Sequence, residues 1–165
     1  MKRALVLAVS AWLLIAFGTL SMAQEPGALA GKYAIRTSTG FLLTAENAGG
    51  GKSPDAVHTN RRVLGPWETF TIAAAEGDKI TLRTAAGTFL TAEGGGTQGL
   101  SADRRQVGPW EKFTLTRLKG GYGLVTVAGT FVTAEGNGGQ QGPNAVSTNR
   151  QQAGPWETFT LILRD

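Results

Sequence analysis

A tryptophan and two glutamates recur three times in this chain of 165 residues, in fixed order and spacing. Gly65-Pro66-Trp67-Glu68-Thr69-Phe70 returns as Gly108-Pro109-Trp110-Glu111-Lys112-Phe113 and again as Gly154-Pro155-Trp156-Glu157-Thr158-Phe159. An earlier block ends in Thr-Ala-Glu at Glu46, Glu93 and Glu135, and a glycine cluster follows each. Between the two blocks lie Asn60-Arg61, Asp103-Arg104 and Asn149-Arg150, each arginine six residues before its tryptophan. An exposed indole offers a flat, polarizable platform to the apolar face of a sugar ring. A carboxylate accepts strong hydrogen bonds from the ring's hydroxyls. A neighbouring Asn or Arg donates to ring and hydroxyl oxygens. Trp67, Trp110, Trp156, Glu46, Glu93 and Glu135 are therefore the candidate ligand contacts. Asn60, Arg61, Asp103, Arg104, Asn149 and Arg150 form a second tier.

Each of these residues also has a plain structural reading. A repeated tryptophan in a small β protein commonly belongs to the core. Strand alternation argues otherwise here: Phe70 and Ile72 share the core face, and Trp67 lies an odd number of positions away. A bulge after Pro66 would reset that register. The Thr-Ala-Glu glutamates have two readings, ligand contact or a bridge to a turn or lysine. The arginines likewise either touch ligand or partner Glu68, Glu111 and Glu157, which alternation places on the core side at a strand start. The glycine clusters read first as turns and second as binding loops. His58 stands where the other repeats have Ser101 and Ser147, and reads as a surface residue.

The elements that position these residues are β throughout. Ile80-Thr81-Leu82-Arg83-Thr84 alternates apolar and polar with period two, as does Phe70-Thr71-Ile72. Thr, Phe, Val and Ile dominate such runs, and Gly or Pro punctuates them. Each repeat offers about four short strands, around Tyr33, Leu43, Val57 and Phe70 in the first. Three units stacked openly would leave adhesive sheet edges, and a closed threefold barrel of twelve strands removes them. The expected fold is thus all-β, a β-trefoil, over residues 31–165, with repeats at 31–78, 79–120 and 121–165.

The N-terminus has a separate purpose. Lys2 and Arg3 precede an apolar stretch from Ala4 to Leu20, and Ser21-Met22-Ala23 presents small residues for cleavage. This is a secretory signal layout over 1–23, followed by a linker over 24–30. The expected location is periplasmic or extracellular, with no membrane attachment after cleavage. Loss of Lys2 and Arg3 lowers the net charge from +4 to +2. No basic run is longer than two residues, which argues against a nucleic-acid partner. The chain has no cysteine and one histidine, which excludes disulfides, thiol nucleophiles and multi-histidine metal centres. No cofactor is expected. The 24 glycines, about twice ordinary usage, mean disorder or many tight turns, and four tryptophans favour turns.

Three copies of Gly-x-Phe-Leu-Thr-Ala-Glu, Asn-Arg and Gly-Pro-Trp-Glu-x-Phe resemble the fascin-like β-trefoil domains of secreted bacterial proteins. The nearest functional likeness is to carbohydrate-binding module family 92. That resemblance implies one site per repeat, with Trp67, Trp110 and Trp156 and Glu46, Glu93 and Glu135 as the main contacts. It also implies β-glucan ligands, including β-1,3- and β-1,6-linked forms. Repeat two departs from the pattern in having Asp103 for the Asn and a shorter glycine segment. A glycosidase needs two carboxylates in different environments. Identical groups recurring by symmetry suit repeated binding instead, so a monomeric, non-catalytic polysaccharide binder is expected. The alternatives are a fascin-like structural or protein-interaction trefoil, or a secreted inhibitor acting through one loop.

Overall fold

Short β-branched and aromatic runs broken by glycine form twelve strands in a computed structural model that describes residues 29–52 and 55–165. The expected signal peptide, and residues 24–28 of the linker, lie outside the described residues. Leu29, assigned to that linker, packs into the core.

The first repeat supplies β1 (Gly31–Thr37), β2 (Leu42–Ala45), β3 (Val57–Arg61) and β4 (Thr69–Ala74). The second supplies β5 (Lys79–Arg83), β6 (Phe89–Ala92), β7 (Leu100–Arg104) and β8 (Phe113–Leu118). The third supplies β9 (Gly121–Val125), β10 (Phe131–Ala134), β11 (Val146–Arg150) and β12 (Phe159–Arg164). Antiparallel pairing runs β1–β4–β5–β8–β9–β12 and returns to β1, so six strands close on themselves. Closure leaves no free edge on this barrel. The remaining strands form three hairpins, β2–β3, β6–β7 and β10–β11, each joined to the barrel through β1, β5 or β9.

The core repeats with the sequence. Phe70, Phe113 and Phe159 are almost wholly buried at equivalent positions, and Ile35, Leu82 and Leu124 form a second set. Leu43, Leu90 and Val132 carry the core into the hairpins. Each hairpin has a register shift at the same place, between Leu42 and Thr44, Phe89 and Thr91, and Phe131 and Thr133. The repeated threonine seals this bulge, its hydroxyl donating to the carbonyl two residues back at 3.2–3.4 Å. A bulge re-aims the residues beyond it. Here those residues are Ala-Glu, and Glu46, Glu93 and Glu135 each begin a short 3-10 turn.

The glycine clusters turn out to be joints between repeats. A Cβ on Gly49 would sit 2.2 Å from the Thr84 hydroxyl, and one on Gly96 2.2 Å from that of Thr126. Only glycine lets each loop press this closely onto the first turn of the next repeat, and both backbones have φ of +116°. Backbone bonds continue the joint: Gly50 donates to Ala102 at 2.5 Å, and Gly139 to Thr59 at 2.7 Å.

Candidate functional site

Gly-Pro-Trp-Glu is a 3-10 turn, not the first residues of a strand. Proline opens it with a pre-set φ. The glutamate at its end folds back, and the Gly108 and Gly154 amides donate to Glu111 and Glu157 at 2.6 and 2.7 Å. Thr69 and Thr158 close the turn by donating to Gly65 and Gly154, both at 2.8 Å. The tryptophans thus lie outside the core because a turn carries them there, and strand alternation is not the cause. Trp110 is 36% exposed, and Trp67 and Trp156 are half-buried.

Glu68, Glu111 and Glu157 are buried on the core side, where alternation placed them, and each faces an arginine. That arginine also reaches the Thr-Ala-Glu carboxylate. Arg61 Nη2 donates to Glu46 Oε2 at 2.9 Å, Arg104 Nη2 to Glu93 Oε2 at 2.7 Å, and Arg150 Nη2 to Glu135 Oε2 at 2.8 Å. On the buried side the same guanidinium lies 3.6–3.8 Å from Glu68, Glu111 or Glu157. Its carbon also sits 4.5, 5.1 and 4.6 Å from the ring centres of Trp67, Trp110 and Trp156, within cation–π range. Each repeat therefore holds one arginine between two carboxylates and against one indole. Arg61, Arg104 and Arg150 thus partner both glutamates of their repeat, and 37–43% of each side chain stays open to solvent.

The second oxygen of each Thr-Ala-Glu carboxylate has its own partner. Ser101 donates to Glu93, and Ser147 to Glu135 at 2.5 Å. In the first repeat His58 Nδ1 lies 3.1 Å from Glu46. His58 is consequently a correction: it is 5% exposed, because its ring is drawn inward to the carboxylate. The signal was available in Ser101 and Ser147, polar residues in the same register one strand from a glutamate. The three glutamate side chains keep 18–25% exposure, so lone pairs remain for an incoming hydroxyl.

The rest of the second tier separates by repeat. Asn60 donates to Gln141, a residue of the third repeat, at 3.0 Å. Asp103 lines a cleft of about 430 Å³ with Glu93, Arg104 and Lys52, the last from the first repeat. Asn149 is exposed, and its side-chain oxygen lies 3.3 Å from the Ser147 hydroxyl. Lys52 and Gln141 were not singled out from the sequence, since each is brought in across an inter-repeat joint. Beside Trp67 lies a further cleft of about 530 Å³, walled by Arg62, Val63, Leu64 and Pro66. Among the described residues no three His, Asp or Glu side chains are placed to hold a metal ion.

The architecture has counterparts among solved structures. The designed threefold-symmetric protein ThreeFoil superposes with a TM-score of 0.68 over 80% of this chain and 98% of its own, at 20% identity. The BEL β-trefoil gives 0.65 over 81% of this chain and 93% of its own, at 8% identity. The fold is a β-trefoil. A Polyporus squamosus lectin, solved with the human-type influenza-binding epitope Neu5Aca2-6Galb1-4GlcNAc, gives 0.63 over 80% of this chain and 48% of its own, at 23% identity. Identities this low speak to fold alone. No protein-family model and no curated protein sequence matches the chain.

Proposed function

We propose that this protein is a secreted, non-catalytic carbohydrate-binding trefoil with up to three equivalent sites for β-glucans. The observation that carries this reading is the Glu–Arg–Trp unit, built three times with the same contacts. In each unit the guanidinium holds one face of the indole and fixes the outer carboxylate. Platform and acceptor are thereby ordered before a ligand arrives, which lowers the entropy cost of binding. Solvent-facing N–H groups of the arginine add donors to the rim. The trefoil lectin among the structural counterparts is in keeping with a sugar ligand. Threefold repetition of one carboxylate pair does not supply the distinct acid and base of a hydrolase. Arg61 bonds Glu46 and lies close to Glu68, so both carboxylates of the first unit face the same guanidinium.

Stacking through one indole gives a weak site, and three weak sites combine on a polymer. Replacing Trp67, Trp110 and Trp156 together by alanine is expected to abolish retention on insoluble β-1,3- or β-1,6-glucan while the chain stays folded. Unchanged retention of the folded triple variant would reject the reading.

A further inference from the structure

The three repeats are alike at Glu–Arg–Trp but unlike on the barrel wall. Outward-facing residues of adjacent strands line up across β1 and β4 of the first repeat and onto one strand of each neighbouring repeat: Arg164 on β12 opposes Lys32 on β1, Lys32 opposes Thr71 on β4, and Thr71 opposes Arg83 on β5. All four are exposed. Neighbouring strands lie about 4.8 Å apart, so three cations fall along a row about 14 Å long. The equivalent row in the second repeat is Lys79, Thr114 and Val125, with one cation. In the third it runs through Thr160 and Arg36, with Gly121 in the place of Lys32, and again has one.

These residues line a cleft of about 740 Å³. Arg83 is steadied there by its Nε, which donates to the Gly87 carbonyl at 3.2 Å, leaving its terminal nitrogens for another partner. Asp165 is the one carboxylate side chain among the lining residues, and no ion pair joins it to Lys32, Arg83 or Arg164. One wall is Gly65-Pro66, which also walls the cleft beside Trp67. The two clefts therefore meet at the turn that carries the indole.

We propose that this row is a further binding surface, selective for anionic substituents, carboxylate or sulfate, on a polysaccharide chain that also stacks on Trp67. The inference rests on the glucan reading for its neutral half, and adds a charged half found only in the row centred on Lys32, where all three repeats contribute a cation. Unpaired cations beside a sugar platform favour a polymer carrying both features, and the shared wall gives it a continuous path. Weak exposed charges act together here, and their effect falls with salt.

The test compares a soluble β-1,3-glucan with its carboxymethylated and sulfated derivatives at low ionic strength. Either derivative is expected to bind about tenfold more tightly than the parent. The triple variant Lys32→Gln, Arg83→Gln, Arg164→Gln should lose that advantage and keep parent binding. A charge-matched control, Arg36→Gln, Lys79→Gln, Lys119→Gln, should retain it. The double variant Lys32→Gln, Arg164→Gln leaves the Arg83–Gly87 bond intact and should lose most of it. An advantage that survives the first triple, or disappears equally in the control, overturns the proposal. So does equal cation-dependent binding of a DNA duplex. If the parent glucan fails to bind while the derivatives bind through Lys32, Arg83 and Arg164, the glucan reading falls and the anionic surface stands.

Discussion

Arg104 has three neighbours at once: Glu93 at 2.7 Å, Glu111 at 3.8 Å and the Trp110 ring at 5.1 Å. Glu111 is 2% exposed, and a carboxylate that deep needs a countercharge. Arg104→Ala is therefore expected to cost about 3 kcal/mol in urea-induced unfolding, chiefly by stranding Glu111. Arg104→Lys should recover part of that loss and not all of it. An ammonium supplies the charge but lacks the planar fork that reaches two carboxylates and stacks on an indole. Stability within about 0.5 kcal/mol of the parent for Arg104→Ala would mean the bridge is ornamental. At this scale the residue types of the site were legible: repetition alone marks Trp67, Glu46 and Arg61 as a set. Their assembly was not. Arg61 and Glu46 are fifteen positions apart and meet only because β2 and β3 pair, with Leu42 opposite Arg61. His58 was misread for the same reason, its partner lying across the hairpin.

Among elements, the joints between repeats decide how the sites are held. Gly96 has φ of +116° and would place a Cβ 2.2 Å from one threonine oxygen and 2.7 Å from another. Gly129 has φ of +79° but faces open space. Gly129→Ala thus meets only the left-handed backbone penalty, about 1–2 kcal/mol. Gly96→Ala adds overpacking and should cost about 3 kcal/mol or more. Thermal unfolding of the two variants side by side checks the difference, and equal losses would mean that the loop is free to move off Thr126. Period-two alternation was enough to locate the strands, because threefold repetition lets each copy vouch for the others. It was blind to the two 3-10 turns per repeat. One turn of helix has no period to read, and the turn at Gly108 is held by a side chain, Glu111, folding onto a backbone amide. The glycine clusters looked the same as any turn in sequence. Their purpose depends on Thr84, Thr126 and their neighbours in the following repeat.

On the scale of the whole molecule, closure of six strands sets three Glu–Arg–Trp units around one barrel, so a single chain can present three sites to one polymer. Binding to a soluble oligosaccharide and retention on an insoluble polymer should consequently respond differently to loss of sites. Trp67→Ala, then Trp67→Ala with Trp110→Ala, should remove binding equivalents from an oligosaccharide titration one at a time, with the remaining affinity unchanged. Retention on insoluble glucan should fall slightly at the first step and then collapse at the second. A single remaining site forfeits the gain of about 10²-fold or more that linkage of weak sites provides. Affinity electrophoresis or column retardation on immobilised glucan measures the second quantity, and calorimetry the first. Parallel decline of both would show that the three units act independently on the polymer. Complete loss at the first substitution would place all binding at the Trp67 site, which His58 and the adjoining cationic row already set apart from the other two.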